Sequence, residues 1–457
     1  MVVNFRSVFR AREGLLVAAL IAFCALWYAA SPILAHSHGS DSLLPLWMGW
    51  TRWTPYYWGQ NRFGMPLTAI ATFFRSSPWL SYVFYQGALY ALSLISVFTL
   101  AYSLRPSVPV ALISSAVVPL VMTPRWWMEY ANQPSGSSMG LFAVGTALFL
   151  TKKTKKIAPS RWVISGILIA VAIWINQGLA LWVAASFLGQ MTWGLERPRY
   201  WAWFALCVFG YLANAFLQTI PGIQGPNYSA VILPRDFLQN IGRSAPVIWQ
   251  ACPGPCLLIG IALLIAAFAY LKKRPLFMTG DIFTLRSTLC VFFLTSVLWW
   301  TWVNDNNIRY FLPCLVVAVT VIASTAANLI QKPKVLWRAF SFLLVAALYQ
   351  TGLPGREATV SALETSIHGK VRPDLSRCGV LAGDYWNVWN LLVVTALRQN
   401  SLVGLPQGLT VRANPIKDLL RLRLQTEKAC FTDTLESAQQ KANELGIQVP
   451  AASWIKL

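Results

Sequence analysis

Long apolar runs broken by short polar or basic stretches set the pattern of this chain. A run of about twenty apolar residues is long enough to cross a bilayer as a helix. Read this way, the chain has spans at Gly14–Leu34, Trp79–Tyr102, Ser107–Pro124 and Ser138–Leu150. The stretch Trp162–Trp193 is too long for one helix and is broken at Asn176-Gln177-Gly178, so it predicts two short helices, out and back. Further spans follow at Tyr200–Ile220, Pro255–Leu271, Leu285–Val303, Tyr310–Ile330 and Leu336–Pro354. Basic residues fix the orientation, because Lys and Arg gather on the cytoplasmic side. Lys152-Lys-Thr-Lys-Lys156, Lys272-Lys-Arg274 and Lys332-Pro-Lys334 all fall on one side of an eleven-crossing scheme. That scheme puts the N-terminus in the cytoplasm and everything after Pro354 outside. Arg6, Arg10 and Arg12 before the first span mimic a signal peptide, but the run behind them is long enough to span and shows no convincing small-residue cleavage site.

Two stretches break the pattern. His36–Thr72 is too polar to cross a membrane and too rich in Trp, Tyr and Leu for a free loop. Trp and Tyr prefer the membrane boundary, so it predicts one or two short helices on the surface, presenting Asp41, Arg52 and Arg62. After Pro354 the chain becomes charged. An apolar helix near Val388–Leu397, a strand near Leu402–Val411 and a helix near Thr432–Leu445 predict a small α/β domain on the outer face. The expected architecture is an α-helical polytopic membrane module, residues 1–354, with about eleven transmembrane helices and a first outer loop at 35–78, followed by an extracytoplasmic domain at 355–457.

Composition agrees. Of 457 residues, 56% are hydrophobic and 12% charged, against roughly 25% charged in soluble domains. The net charge of +21 is spread between apolar spans and not gathered in one soluble region, which argues against nucleic-acid binding. Cys24, Cys207, Cys290 and Cys314 read as apolar filler within spans. Cys252, Cys256, Cys378 and Cys430 fall outside, where an oxidising compartment would allow two disulfides. A zinc or redox pair is the other reading of Cys252 and Cys256, although no second Cys/His pair sits nearby.

The familiar catalytic signatures are missing: no GK[ST] phosphate loop, no dinucleotide fingerprint, no HExxH. An ATP-driven pump is disfavoured. Gly136-Ser-Ser-Met-Gly140 has nucleophile-elbow spacing but opens a span, where small residues serve close helix packing. Asn227-Tyr-Ser229 is a formal glycosylation sequon of the kind that arises by chance. What remains is a set of charges at the outer membrane edge: Asp41, Arg125, Glu129, Asp305 and Arg309. A carboxylate there can act as general base, arginines can grip and neutralise a leaving phosphate, and aromatic surfaces suit a sugar or prenyl chain. Together they describe glycosyl transfer from a lipid-linked phosphosugar.

Asp41-Ser-Leu-Leu-Pro-Leu-Trp47 and Tyr57-Trp-Gly-Gln-Asn-Arg-Phe-Gly64 resemble the first loop of GT-C membrane glycosyltransferases. These polyprenyl-phosphate-sugar-dependent enzymes include protein mannosyltransferases and lipid A aminoarabinose transferases. Arg309-Tyr-Phe-Leu-Pro313 is similar to the start of one of their late spans. The resemblance implies Asp41 as catalytic base and Arg309 near the donor phosphate. Arg62, Arg125, Glu129, Asp305, His36 and Tyr310 complete the expected substrate contacts, with His36 and His38 as candidates for orienting Asp41. Many members carry a second acid in the first loop where this chain has Ser42, which weakens a metal-assisted variant and leaves a divalent cation open. No cofactor or protein metal ligand is otherwise expected. The expected partners are a polyprenyl-phosphate sugar, a glycan, lipid or protein acceptor, and membrane lipids. The expected place is a bacterial inner membrane, with the tail in the periplasm. Asp384-Tyr-Trp386 and Trp389 suit acceptor binding or, more simply, a structural aromatic cluster. Two rival readings are a lipid-linked saccharide flippase, favoured by the broken element, and an O-antigen polymerase or ligase using Arg235 and Arg243.

Overall fold

In the computed structural model the first apolar run is helical from Phe5 to Ala29 (α1), then stops short of the expected Leu34. Ser31-Pro32 causes the break. Proline suits the first position of a helix, and the Ser31 hydroxyl caps the new one, α2 (Pro32–His36), accepting the Leu34 N–H at 3.3 Å. The carbonyl of Ala30 accepts from Gly355 N–H and the Thr359 hydroxyl, at 3.1 and 2.6 Å. The break thus ties the end of the first span to the start of the tail. The structure describes residues 5–54, 58, 65–132, 137–151, 159–185, 197–218, 237–272, 277, 279–297, 301, 307–330, 332–368, 375, 378–398, 403–407, 416–432 and 434–456.

The first loop carries two short helices, α3 (Ser40–Thr51) and α4 (Thr68–Phe73). They touch at Gly49, where a Cβ would lie 2.6 Å from the Thr68 carbonyl oxygen and 2.5 Å from the Ala71 Cβ. The better helix propensity of alanine is worth at most about 1 kcal/mol, whereas forcing a fixed backbone oxygen aside costs roughly 1–3 kcal/mol. Gly49→Ala is therefore expected to lower the melting temperature in detergent; an unchanged melting curve would show that the two helices are free to separate.

Behind this loop stand α5 (Pro78–Leu104), α6 (Val108–Val121), α7 (Pro124–Ala131), α8 (Ser137–Thr151) and α9 (Pro159–Ile175). α1 lies along α5, α5 also packs on α6 and α8, and α8 packs on α9. α9 stops at Ile175 and a 3₁₀ turn at Gln177–Leu179 follows, so the break at Asn176 is present. Gly140 leaves room there for the Leu179 side chain. The Leu312–Asn328 helix is the bundle's centre. It is buried from Leu312 to Thr325 and contacts α5, α6 and α8. By contrast Leu257, Ile261, Leu264 and Phe268 on the Pro253–Leu271 helix are exposed, as lipid-facing side chains are. Among the described residues, Pro78–Leu104 and Pro253–Leu271 are long and apolar enough to span alone.

Two expectations need correction. The stretch left between the expected spans Tyr200–Ile220 and Pro255–Leu271 contains a helix, Phe237–Ala251. Cys252 and Cys256 do not face each other across a turn. Cys252 caps the Pro253–Leu271 helix, Cys256 sits in its first turn, and both thiols are free.

Arg105, just past the end of α5, is 5% exposed and forms a two-pronged ion pair with fully buried Asp281. Nη1 reaches Oδ1 at 3.0 Å and Nη2 reaches Oδ2. The pair joins the end of α5 to the start of the Thr279–Val297 helix.

After the Arg356–His368 helix, the tail builds four parallel strands: β1 (Val380–Asp384), β2 (Val403–Gln407), β3 (Ala429–Phe431) and β4 (Trp454–Lys456), in the order β2-β1-β3-β4. Val380 pairs with Val403 on one side and Ala429 on the other. A strand covered on both faces needs a continuous apolar run, and Val380 to Gly383 is buried throughout. A disulfide joins Cys378, two residues before β1, to Cys430 in β3. The helix after β1 starts at Tyr385, earlier than expected, and runs to Leu397. It packs on α3, so Leu43, Leu44, Trp47 and Met48 share one core with Val388, Trp389 and Leu392. Trp58 and Trp389 meet edge to face at 6.1 Å.

Candidate functional site

The site is assembled from three short pieces. The first is the opening turn of α3. Its cap residue, Gly39, has no side chain, so Ser42 reaches back: its hydroxyl accepts the Gly39 N–H at 3.0 Å and donates to the Gly39 carbonyl at 2.6 Å. Asp41 lies in this first turn, where the partial positive charge of a helix start favours a carboxylate. The second piece is a single 3₁₀ turn, Ile308–Tyr310. Asn307 initiates it by accepting the Arg309 N–H at 3.1 Å. The third is α7, which packs against α2, α5, α8 and the 3₁₀ turn and carries Arg125 and Glu129.

These pieces bring Arg309 Nη1 to 3.5 Å from Asp41 Oδ2, with the two side chains 27% and 24% exposed. Arg309 also donates from Nη2 to the Tyr310 hydroxyl at 3.0 Å. Burial works against its charge, but Tyr310, Glu129 and Asp41 together hold the guanidinium more firmly charged than usual. Arg125 lies exposed over the Trp126 ring, 4.8 Å from its centroid. Glu129 feels all three charged neighbours. Burial raises its carboxyl above the ordinary 4.5 and Asp41 adds to this, while Arg309 and Arg125 pull the other way.

The sign for stability follows. A carboxyl raised in the folded state binds its proton more tightly there than in the unfolded chain, so its contribution is full below pH 4.5 and is lost as pH rises through the folded value. Glu129→Gln is expected to flatten the decline in melting temperature above pH 4.5; an identical slope in the two proteins would show that Glu129 is not so held.

Asp41, Arg125, Glu129, Arg309 and Tyr310 are thus neighbours. His36 is exposed on the tail side, its Nδ1 3.4 Å from the Ala362 carbonyl. Arg52 caps the far end of α3, about 16 Å along the helix from Asp41, so the loop does not present the two together. Arg62, Asp305 and Arg235 lie outside the described residues. Arg243 is exposed on the Phe237–Ala251 helix, which touches the 3₁₀ turn. Trp389 is fully buried against Trp58, as a structural aromatic is. Among the described residues no three His, Cys, Asp or Glu side chains cluster as a metal site would need. Among the described residues, Asp41 and Glu129 are the carboxylates that act on Arg309. Sequence reading missed Asn307 and Ser42. A serine three residues past a cap position, just before an apolar run, is the signal that marks Ser42.

No family model matches the chain, and no curated protein matches it in sequence. Its structure is similar to the crystal structure of ArnT from Cupriavidus metallidurans bound to undecaprenyl phosphate. Identity is 10%, the TM-score is 0.54, and the match covers 96% of each chain. The same protein in the apo state aligns at 11% identity over 96% of this chain and 95% of that one, with a TM-score of 0.39. The chain shares the fold of that protein, and the likeness to the undecaprenyl-phosphate-bound form extends over nearly the whole length of both chains. Within it, Asp41 comes from the loop after the first span and Arg309 from the turn before the central Leu312–Asn328 helix.

Proposed function

We propose that this chain is an inverting glycosyltransferase. It takes a sugar from a polyprenyl-phosphate donor and places it on a hydroxyl of a lipid, glycan or protein acceptor at the outer face of the membrane. The observation that carries the proposal is the meeting of Asp41 and Arg309 at 3.5 Å, a base and a phosphate-binding cation with part of each side chain still open. The donor sugar enters between them. Its phosphate takes over Arg309, with Arg125 at the edge, and frees the Asp41 carboxylate. Asp41 then accepts the proton of the acceptor hydroxyl, whose oxygen attacks the anomeric carbon. The bond from that carbon to the phosphate oxygen breaks, and the arginines neutralise the departing charge. One displacement inverts the anomeric centre. Glu129, whose carboxyl burial raises, stands beside Arg309 and Arg125 at the phosphate end of the site.

An eleven-crossing arrangement with the Lys and Arg clusters on the cytoplasmic side supports a site and tail on the non-cytoplasmic side. The Cys378–Cys430 disulfide supports an oxidising compartment such as a periplasm. The fold likeness to a protein bound to undecaprenyl phosphate supports a polyprenyl donor. The test is reconstitution in liposomes with undecaprenyl-phosphate glucose, mannose or aminoarabinose together with a bacterial envelope extract that supplies lipid, glycan and protein acceptor hydroxyls, following release of undecaprenyl phosphate and labelling of the acceptor. Release from at least one donor is expected. Movement of labelled lipid between leaflets with no release from any donor would replace this reading with that of a flippase, the role that the break at Asn176 would serve.

A further inference from the structure

His38 lies between α2 and α3 and is 6% exposed. Its ring meets the Tyr82 ring of α5 edge to face at 6.1 Å, and Trp79 stacks on the other part of that tyrosine at 5.8 Å. Its Nδ1 is 2.9 Å from the Ser42 hydroxyl oxygen. The Ser42 proton is committed to the Gly39 carbonyl at 2.6 Å, and the oxygen already accepts from Gly39 N–H. A hydroxyl has one proton and two lone pairs. The His38 contact therefore has one assignment: Nδ1 carries the proton and donates to Ser42. Every hydrogen-bonding capacity of the Ser42 hydroxyl is then used. Burial lowers the His38 pKa to about 3, so the imidazole is neutral at any working pH and keeps this tautomer.

We propose that His38 is a positioning residue: it fixes the Ser42 hydroxyl, which locks the first turn of α3 and so sets Asp41 against Arg309. Gly39 makes this necessary. A cap residue without a side chain leaves the turn under-held, and the Ser42 hydroxyl is what bridges it. Tyr82 and Trp79 of α5 give the imidazole a packed wall, so contacts run unbroken from α5 through His38 and Ser42 to the turn that carries Asp41. This inference rests on the proposed role of Asp41.

The test measures the rate of undecaprenyl phosphate release from whichever of the three donors is turned over, with the affinity for undecaprenyl phosphate measured alongside. His38→Leu should lower the rate by about 10- to 100-fold, the usual effect of misplacing a catalytic group by around an ångström. Affinity should stay within about threefold, because the arginines are untouched. His38→Asn can supply a donor near the Nδ1 position and should recover most of the rate. Ser42→Ala, smaller and easily accommodated, should reproduce the loss, which keeps the proposal testable if His38→Leu fails to fold. A wild-type rate in His38→Leu or Ser42→Ala, or an asparagine variant no better than leucine, overturns the proposal. Asp41→Asn separates the two ideas. An active Asp41→Asn removes the role of Asp41 itself, whereas an inactive Asp41→Asn beside a fully active His38→Leu removes only the positioning.

Discussion

Asp41→Asn should lower undecaprenyl phosphate release by at least about a hundredfold while protein level and melting temperature stay close to wild type. The two halves of this expectation have different sources. General-base catalysis is worth about 10²–10⁴ in rate, and asparagine keeps the shape of aspartate while losing its basicity. The stability effect is small because the Asp41–Arg309 pair is about one-quarter exposed on each side and separated by 3.5 Å. Partly solvated pairs of this kind contribute roughly 0–1 kcal/mol. A variant that releases undecaprenyl phosphate within threefold of wild type would remove Asp41 from the mechanism. A variant that simply fails to accumulate would show that the pair holds the fold. The same substitution bears on the polymerase or ligase alternative, since an enzyme driven by outer-loop arginines should tolerate it.

Asp281→Asn should do the opposite: a large loss of stability with the site chemistry intact. Arg105 is 5% exposed and Asp281 fully buried, so the pair has been taken out of water on both sides. Removing one partner leaves a buried charge uncompensated, at a cost of about 3–5 kcal/mol. The double substitution Arg105→Met, Asp281→Leu should recover most of that, because two apolar side chains need no hydration. Thermal unfolding in detergent compares the three proteins. Equal melting temperatures for the single and double variants would contradict the assignment. The pair lies at the end of α5 far from α3, about 40 Å along a helix of twenty-seven residues, so transfer by the surviving folded fraction should be near normal.

Local pattern revealed much of the bundle. The α5, α6, α8 and α9 helices and the break at Asn176 follow from apolar length and from one polar Gly-containing triplet. Breaks inside apolar runs were less visible. Ser31-Pro32 sits in a stretch hydrophobic enough to read straight through, and only the cap chemistry stops the helix. The Phe237–Ala251 helix was hidden for another reason: it contains Pro246 and lies in a stretch punctuated by prolines. Pairings distant in sequence were not legible at all. Nothing near Arg105 points to Asp281, and nothing near Asp41 points to α7. Residue chemistry named Asp41, Arg125, Glu129 and Arg309 as the charges to watch; their proximity depends on how α2, α7 and the 3₁₀ turn stack. Arg52 shows the limit of reading a loop as a patch, because a helix of twelve residues separates its two ends.

The core that α3 shares with the Tyr385–Leu397 helix has a practical consequence for anyone building hybrids of such proteins. Grafting a foreign tail at Pro354 would set strange side chains against Leu43, Leu44 and Trp47, within two turns of the carboxylate. A workable chimera has to transplant the surface loop and the C-terminal portion as a matched set, with two junctions instead of one.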